Sequence, residues 1–340
     1  MSPRTESPFT PLEAGQARSF LVRGTKILFV GTPEFAIPAL GALLEHNYHI
    51  VAVLTNPDEP AGRHHLLTPP PVKICAQKHN IPVLQPEKIT GNEMFKKTLE
   101  ELNPDITIVA AYGKILPADI INLPKYKTLN IHPSLLPRWR GPSPIQYTIL
   151  AGDTQTGVTI IQLDETMDHG PIVAQLNLKS KISNLNYQTL HDELAKLGAN
   201  LLIEILPKWI RGEIISIPQD DTKATFSKKL KKDDGRIDWK KPAQEIERMV
   251  RAFNPWPGTW TMWPHDGKIY RIRIEEAAFT NEEISSGSAG YVVATDSHSL
   301  CVKTGHGCLE IKKFTLEGKK PMSAEAFLRG YPAIIGTSLI

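Results

Sequence analysis

The sequence predicts an α/β protein: an open, mostly parallel sheet flanked by helices, followed by a smaller β-barrel. Three observations carry that expectation. From Lys26 to Trp209, short runs rich in Val, Ile and Leu alternate with helix-periodic stretches, the pattern of parallel strands joined by crossover helices. From Trp260 onward the segments become short and strand-like, punctuated by Gly, Asp and Ser, which suits a small barrel. Between them lies a charged stretch with Pro218 and little apolar periodicity.

The elements follow in order. Lys26 to Val30 (KILFV) reads as a buried strand, and an apolar-periodic helix follows from about Phe35 to Glu45. Pro33 suits its first turn, while Pro38 inside the segment predicts an irregular opening. Ile50 to Leu54 is a second strand, and a Pro/Gly-rich loop runs from Asn56 to Pro71. Val72 to His79 suits a helix, Ile106 to Ala110 a central strand, Thr128 to Ile131 the next strand and Pro144 to Ala151 a helix. Gly157 to Leu163 and Ile172 to Leu178 alternate β-branched residues around a turn at Asp164 to Gly170, which predicts an antiparallel pair. A long helix is expected from Tyr187 to Trp209. Later come a helix at about Ala243 to Phe253 and strands near Trp260, Lys268, Tyr291, Leu300 and Leu309. These readings divide the chain into a poorly ordered extension (1–24), a catalytic domain (25–211), a linker (212–226) and a C-terminal domain (227–340).

Composition narrows the class. With 41% hydrophobic and 22% charged residues, the chain has an ordinary globular balance rather than that of a disordered one. No apolar run approaches the roughly 20 residues of a membrane helix. Cys75, Cys301 and Cys308 form no Cys-x-x-Cys pair, and scattered reduced thiols fit a cytosolic protein. The net charge of +3 is unevenly spread: from Pro207 onward 21 Lys and Arg face 17 Asp and Glu, against 18 and 19 before it. The basic surplus includes Lys228, Lys229, Lys231 and Lys232, which reads either as a solvated face or as a phosphate-attracting surface.

The densest chemistry is in Asn130-Ile131-His132-Pro133-Ser134-Leu135-Leu136-Pro137. Strand residues two apart share a face, so Asn130 and His132 aim at one point, and Pro133 ends the strand because it lacks an N–H. Asp168 sits in a tight turn with Asp164 at its start, and Gly170 is expected to supply the turn's positive φ. A convergent amide, imidazole and carboxylate can bind a carbonyl oxygen, manage a proton and orient the ring. Arg138 and Arg140 follow and suit carboxylate or phosphate, or simply a solvated loop. Other chemistries fit poorly. Gly31-Thr32-Pro33-Glu34 has one glycine where a dinucleotide fingerprint needs three, and neither a Walker loop nor a nucleophile elbow occurs. Ser134 is a poor nucleophile candidate among Pro and Leu. His64, His65 and His79 do not match zinc spacings, so no metal is expected.

With NIHPSLLP, Arg138-Trp139-Arg140-Gly141, Met167-Asp168-His169-Gly170 and AYGKILP at Ala111 to Pro117, the chain resembles the folate-dependent formyltransferases. FVGTPEFA at Phe29 to Ala36, the Pro60-Ala61-Gly62-Arg63 loop and Asn254-Pro255-Trp256-Pro257-Gly258 make it similar to the branch acting on tRNA, from Lys26 to about Pro332. That resemblance implies a Rossmann-like catalytic domain and an OB-like C-terminal domain. It implies transfer of a formyl group from 10-formyltetrahydrofolate to methionine on initiator tRNA, with Asn130, His132 and Asp168 as catalytic residues. Folate contacts are implied at Lys114, Ile115, Leu116, Ser134, Leu135, Leu136, Pro137 and Asp164. Contacts to tRNA are implied at Arg63, Arg138, Arg140, Lys228, Lys229, Lys231 and Lys232. The family loop is often more basic after the arginine, whereas His64 and His65 stand here. A formyltransferase acting on a nucleotide-linked amino sugar, and a non-catalytic RNA-binding relative, are the rival readings. A monomer in a bacterial cytosol is the expected setting, with an organelle matrix as second choice.

Overall fold

The computed structural model describes residues 24–61, 66–294 and 300–340. Residues 1–23 of the expected extension lie outside them, as do Arg63, His64 and His65 of the loop. The chain forms two compact units. The first comprises the described part of Met1–Arg140 together with Gly157–Leu178 and Asp192–Thr225; the second comprises Gly141–Thr156, Lys179–His191 and Phe226–Ile340. Residues 212–225, read as a linker, therefore belong to the first unit, where Ile217 exchanges both backbone hydrogen bonds with Ile172 at 2.7 and 2.8 Å.

The first unit holds a seven-stranded sheet. Its opening strand β1 (Lys26–Gly31) leads through a 3-10 turn (Glu34–Ala36) into helix α1 (Ile37–Glu45), so the expected irregular start is the 3-10 turn ahead of Pro38. Then come β2 (His49–Leu54), β3 (Glu59–Ala61), β4 (Leu66–Thr68), α2 (Pro71–Lys78), β5 (Val83–Leu84), α3 (Glu93–Leu102), β6 (Ile106–Ala110), α4 (Ala118–Ile121) and β7 (Thr128–His132). The strands β8 (Gly157–Gln162) and β9 (Ile172–Asn177) complete the sheet in the order β5-β2-β1-β6-β7-β8-β9. Pairing is parallel from β5 to β7 and antiparallel across β7, β8 and β9. The Pro/Gly-rich loop thus contains a small hairpin, β3 paired with β4. Below it, Lys73 Nζ lies 2.7 Å from an Asp58 oxygen that also accepts from Gln85 Nε2 at 2.8 Å, and both donors hold the Asp58 carboxyl below its usual range. Helix α3 was not anticipated, although Asn92 caps it by accepting from Phe95 N at 3.0 Å.

The β1, β2 and β6 strands are buried because both faces are covered, as parallel sheets require. Leu28, Val30, Leu54, Phe95, Leu99, Tyr112, Leu116 and Ile120 share one core cluster. Each fully buried aliphatic side chain there contributes roughly 1.5–3 kcal/mol.

The second unit carries α5 (Pro144–Ala151), the start of α6 (Tyr187–Ile210) and α7 (Ala243–Phe253). Its sheet comprises β10 (Thr259–His265), β11 (Lys268–Thr280), β12 (Val292–Ala294), β13 (Leu300–Lys303), β14 (Cys308–Leu316) and β15 (Met322–Ser323), with α8 (Ala324–Gly330) after it. The antiparallel path β10-β11-β14-β13-β12 stays open, a half-barrel rather than a closed barrel. The C-terminal tail spans the gap: Val292 N donates to Thr337 O, and Ile340 N to Met262 O, each at 2.9 Å. Ala243, Ile246, Val250 and Phe253 recur at helical spacing and form the buried stripe of α7, with Ile246 and Val250 reaching the core around Trp263 and Phe327. Among the described residues no helix is long and apolar enough to cross a membrane.

Candidate active site

β7 is where the sheet presents its chemistry. Thr128, Asn130 and His132 alternate with Leu129 and Ile131, so the three polar side chains share one face. The register sets Asn130 beside Val109 of β6 and Ile161 of β8, at the carboxyl ends of the parallel strands, where open α/β sheets bind ligands. Pro133 then stops the strand, and Ser134 N turns back to His132 O at 2.9 Å.

The Asp168 turn leaves β8 beside the start of β7 and reaches along that strand to Asn130 and His132. Leu163 N donates to Thr128 O at 2.8 Å, and Gln162 N closes the loop onto Pro171 O at 3.0 Å. Thr166 N caps the Asp164 side chain at 2.9 Å. The left-handed residue is Asp168 itself, with φ 52°, not Gly170 as the turn chemistry suggested. Gly170 is required for a different reason: a Cβ there would overlap the Gln162 carbonyl oxygen. An aspartate held in the left-handed region is strained backbone kept by its surroundings, a pattern that clusters at functional sites.

One carboxylate oxygen organises the cluster. Asn130 Nδ2 donates to Asp168 Oδ1 at 3.4 Å, and His132 Nδ1 lies 3.5 Å from the same atom. Both contacts are long, the slack typical of a site that tightens around its substrate. His132 is buried, 4% exposed, and its Nε2 stands 3.0 Å from Trp139 O. A carbonyl only accepts, so Nε2 carries a proton and the Nδ1 edge faces Asp168. The ring is therefore held by a backbone carbonyl that no sequence signal announced. Burial pushes the Tyr112 hydroxyl up to about 12.

Around Asp168 runs a charged chain. His169 Nδ1 meets Asp164 Oδ2 at 2.6 Å, and its Nε2 faces Asp221 Oδ2 at 3.5 Å. Asp221 also takes Arg140 Nη2 at 2.7 Å, which holds its carboxyl below the usual range. The Asp164 carboxylate, aided by Asp221 and opposed by Arg140, raises the His169 pKa above its ordinary 6.5. A group whose folded pKa is raised adds stability below its unfolded value, and loses it as pH climbs through the folded one. The Tm gap between the wild type and His169→Asn is therefore expected to be largest near pH 6 and to close toward pH 9. At this exposure it amounts to about 0.3–0.5 kcal/mol, or about one degree. Thermal melts across that pH range check it.

The remaining candidates fall into two groups. Leu116 is core, packed with Ile120 and Ile121, whereas its neighbour Ile115 is 71% exposed and is the apolar surface in that loop. Lys114 reaches Glu87 O at 3.4 Å. Ser134 is buried and gives its hydroxyl to Arg138 O at 2.6 Å. Leu136 is buried, its N–H on Thr159 Oγ1 at 3.0 Å and its carbonyl on Gln175 Nε2 at 2.6 Å; Leu135 and Pro137 are half-buried beside it. Among the arginines, Arg138 is exposed over the Trp139 ring, but Arg140 is 4% exposed with its guanidinium committed to Asp221 and Gln219. The guanidinium of Arg140 is thus turned inward onto those partners. Lys228, Lys229, Lys231 and Lys232 all face solvent, because Leu230 between them is tucked in. Among the described residues no three His, Cys, Asp or Glu side chains could hold a metal.

The chain is also similar to known proteins. Residues 25–206 match the formyl transferase family model, and residues 229–332 match its C-terminal domain. A methionyl-tRNA formyltransferase of Chloroflexus aggregans is 48% identical over 309 residues, covering 91% of this chain and 98% of that one. An N-formyltransferase from Helicobacter canadensis, solved with folinic acid and dTDP-3-aminofucose, matches at a TM-score of 0.61 and 19% identity, covering 84% of this chain and 98% of that one. HypX from Aquifex aeolicus, in complex with tetrahydrofolic acid, matches at 0.59 and 19% identity, over 91% of this chain and 47% of that one. At such identities the two structures speak for the fold alone.

Proposed function

The chain belongs to the methionyl-tRNA formyltransferase family, and from that premise we propose that it formylates the α-amino group of methionine on initiator tRNA, using 10-formyltetrahydrofolate as donor. The observation that carries the chemistry is the single Asp168 oxygen shared by the Asn130 amide and the His132 ring. The neutral amine attacks the formyl carbon. A bond from carbon to the amine nitrogen forms, charge collects on the formyl oxygen, and the bond to folate N10 then breaks. Asn130 Nδ2 donates to that oxygen, and so does Nδ1–H of a His132 protonated on both nitrogens. Asp168 balances the imidazolium, takes the proton shed by the attacking amine through a water, and passes that proton to folate N10 as the carbon–N10 bond breaks, so the donor leaves as tetrahydrofolate.

The donor is placed on the loop after β6, where Ile115 offers exposed apolar surface for the flat pterin and Lys114 lies alongside. The half-buried Leu135 and Pro137 and the Asp164 carboxylate are the further proposed donor contacts. The buried Leu116, Ser134 and Leu136 serve as its supporting wall. The relatives' bacterial sources favour a bacterial cytosol, and a monomer suffices for the reaction.

For tRNA, the proposed contacts are Arg63, Arg138 and the lysine run. Replacing Lys228, Lys229, Lys231 and Lys232 by Ala together is expected to weaken tRNA binding about tenfold or more. The salt dependence of log K should become shallower by about 2–3. kcat at saturating tRNA should stay near wild type. Anisotropy titrations over a salt series, with kinetics alongside, check all three. The activity itself is tested by transfer of labelled formyl from 10-formyltetrahydrofolate to charged initiator tRNA. Elongator methionyl-tRNA and a nucleotide-linked amino sugar serve as alternative acceptors. Preference for the sugar, or binding without transfer, contradicts the proposal.

A further inference from the structure

Gln219 comes from the stretch read as a linker, yet it is built into the Asp168 turn. Its Nε2 donates to two backbone carbonyls of that turn, Asp168 O and Gly170 O, each at 2.8 Å. Its Oε1 accepts from Arg140 Nε at 2.9 Å. The arginine nitrogen can only donate and the carbonyls can only accept, so the amide has one possible orientation. Arg140 is buried and in turn anchored on Asp221 by a 2.7 Å contact. The same short segment also grips the other half of the cluster. Trp139 N donates to Thr225 Oγ1 at 2.9 Å, Arg140 N to Thr225 O at 2.9 Å, and Thr225 N to Pro137 O at 3.2 Å. Trp139 O is the atom that holds His132.

We infer that Gln219 is a positioning residue for formyl transfer: its side-chain amide, aimed by Arg140, pins the strained Asp168 turn so that the carboxylate stays between Asn130 and His132. The two bonds fix the carbonyls on either side of His169 and so hold the left-handed Asp168 backbone in place. Geometry of this kind matters because displacement of a catalytic group by about 1 Å can cost about 10² in rate. Gln219 touches neither reacting atom, so its effect passes through Asp168.

The inference rests on Asp168 being catalytic, and the test separates the two. Gln219→Leu removes both donors. Gln219→Glu keeps the length and the Arg140 contact but sets its second carboxylate oxygen against the two carbonyls, so it stays folded through Arg140 should the leucine variant not. Both are compared with the wild type, with Asp168→Asn and with each double variant, using formyl transfer to charged initiator tRNA and thermal melts. The expected result is a kcat loss of about 10-fold or more with KM for donor and tRNA within about threefold. In the Asp168→Asn background the same changes should cost under about twofold. Losses that multiply independently of Asp168, or near-wild-type kcat in both Gln219 variants, overturn the inference. Near-wild-type turnover of Asp168→Asn alone overturns instead the functional reading beneath it.

Discussion

Asn130→Ala is expected to lower kcat by about 10²–10³, with little change in KM for the folate donor. Loss of one preorganised oxyanion donor has that size, because the donor acts on charge present only in the transition state. The fold should tolerate the change. Asn130 sits mid-strand between Val109 and Ile161, its ladder is made by backbone atoms, and among the described residues its side chain makes only the long contact to Asp168. Steady-state kinetics with a melting curve as control decide it: a lowered kcat at unchanged Tm supports an oxyanion role, and unchanged kcat removes it.

Gly170→Ala is expected to damage stability and turnover together. The new Cβ would fall on the Gln162 carbonyl oxygen, with Asp164 N only 3.3 Å away. Relief by moving Gln162 is blocked, because Gln162 N is already bonded to Pro171 O and the residue ends a strand paired with β7. The turn must shift instead. A forced backbone shift of this kind costs about 1–3 kcal/mol, or several degrees of Tm. It also carries Asp168, two residues upstream, out of register with Asn130 and His132, for which a loss of at least about 10² in kcat is expected. Thermal melts and kinetics on the same preparation measure both effects.

The contrast between these residues shows what a sequence makes legible. Asn130 and His132 were readable because strand geometry repeats every two residues and Pro133 marks the strand's end. The parallel strands were readable because burial on both faces leaves uninterrupted aliphatic runs such as Ile106–Ala110. Asp168 was suspected but its conformation was misplaced onto Gly170, since turn chemistry favours glycine in the left-handed region while tertiary contacts can hold an aspartate there. Arg140 shows the opposite failure: an arginine in a glycine-containing loop reads as solvent-facing, and only Gln219 and Asp221, about eighty residues downstream, turn it inward. Nothing local announces such a pairing, nor Trp139 O as the partner of His132, because backbone carbonyls have no sequence signature. Helices α3 and α8 were missed despite available signals, the side-chain caps at Asn92 and Ser323. The half-barrel was readable as short strands, but the tail that bridges Val292 and Met262 was not, since Gly336 to Ile340 carries no strand pattern strong enough to place it.

The central claim is that the donor's formyl oxygen docks between Asn130 and His132, beside Asp168. A crystal structure of this protein with a non-hydrolysable formyl-folate analogue tests it most directly. The formyl oxygen is expected within about 2.7–3.1 Å of Asn130 Nδ2 and of His132 Nδ1, with the carbon open toward Asp168. A formyl group bound with its oxygen on any other donors, and with Asn130 and His132 still closed on Asp168, would contradict the account.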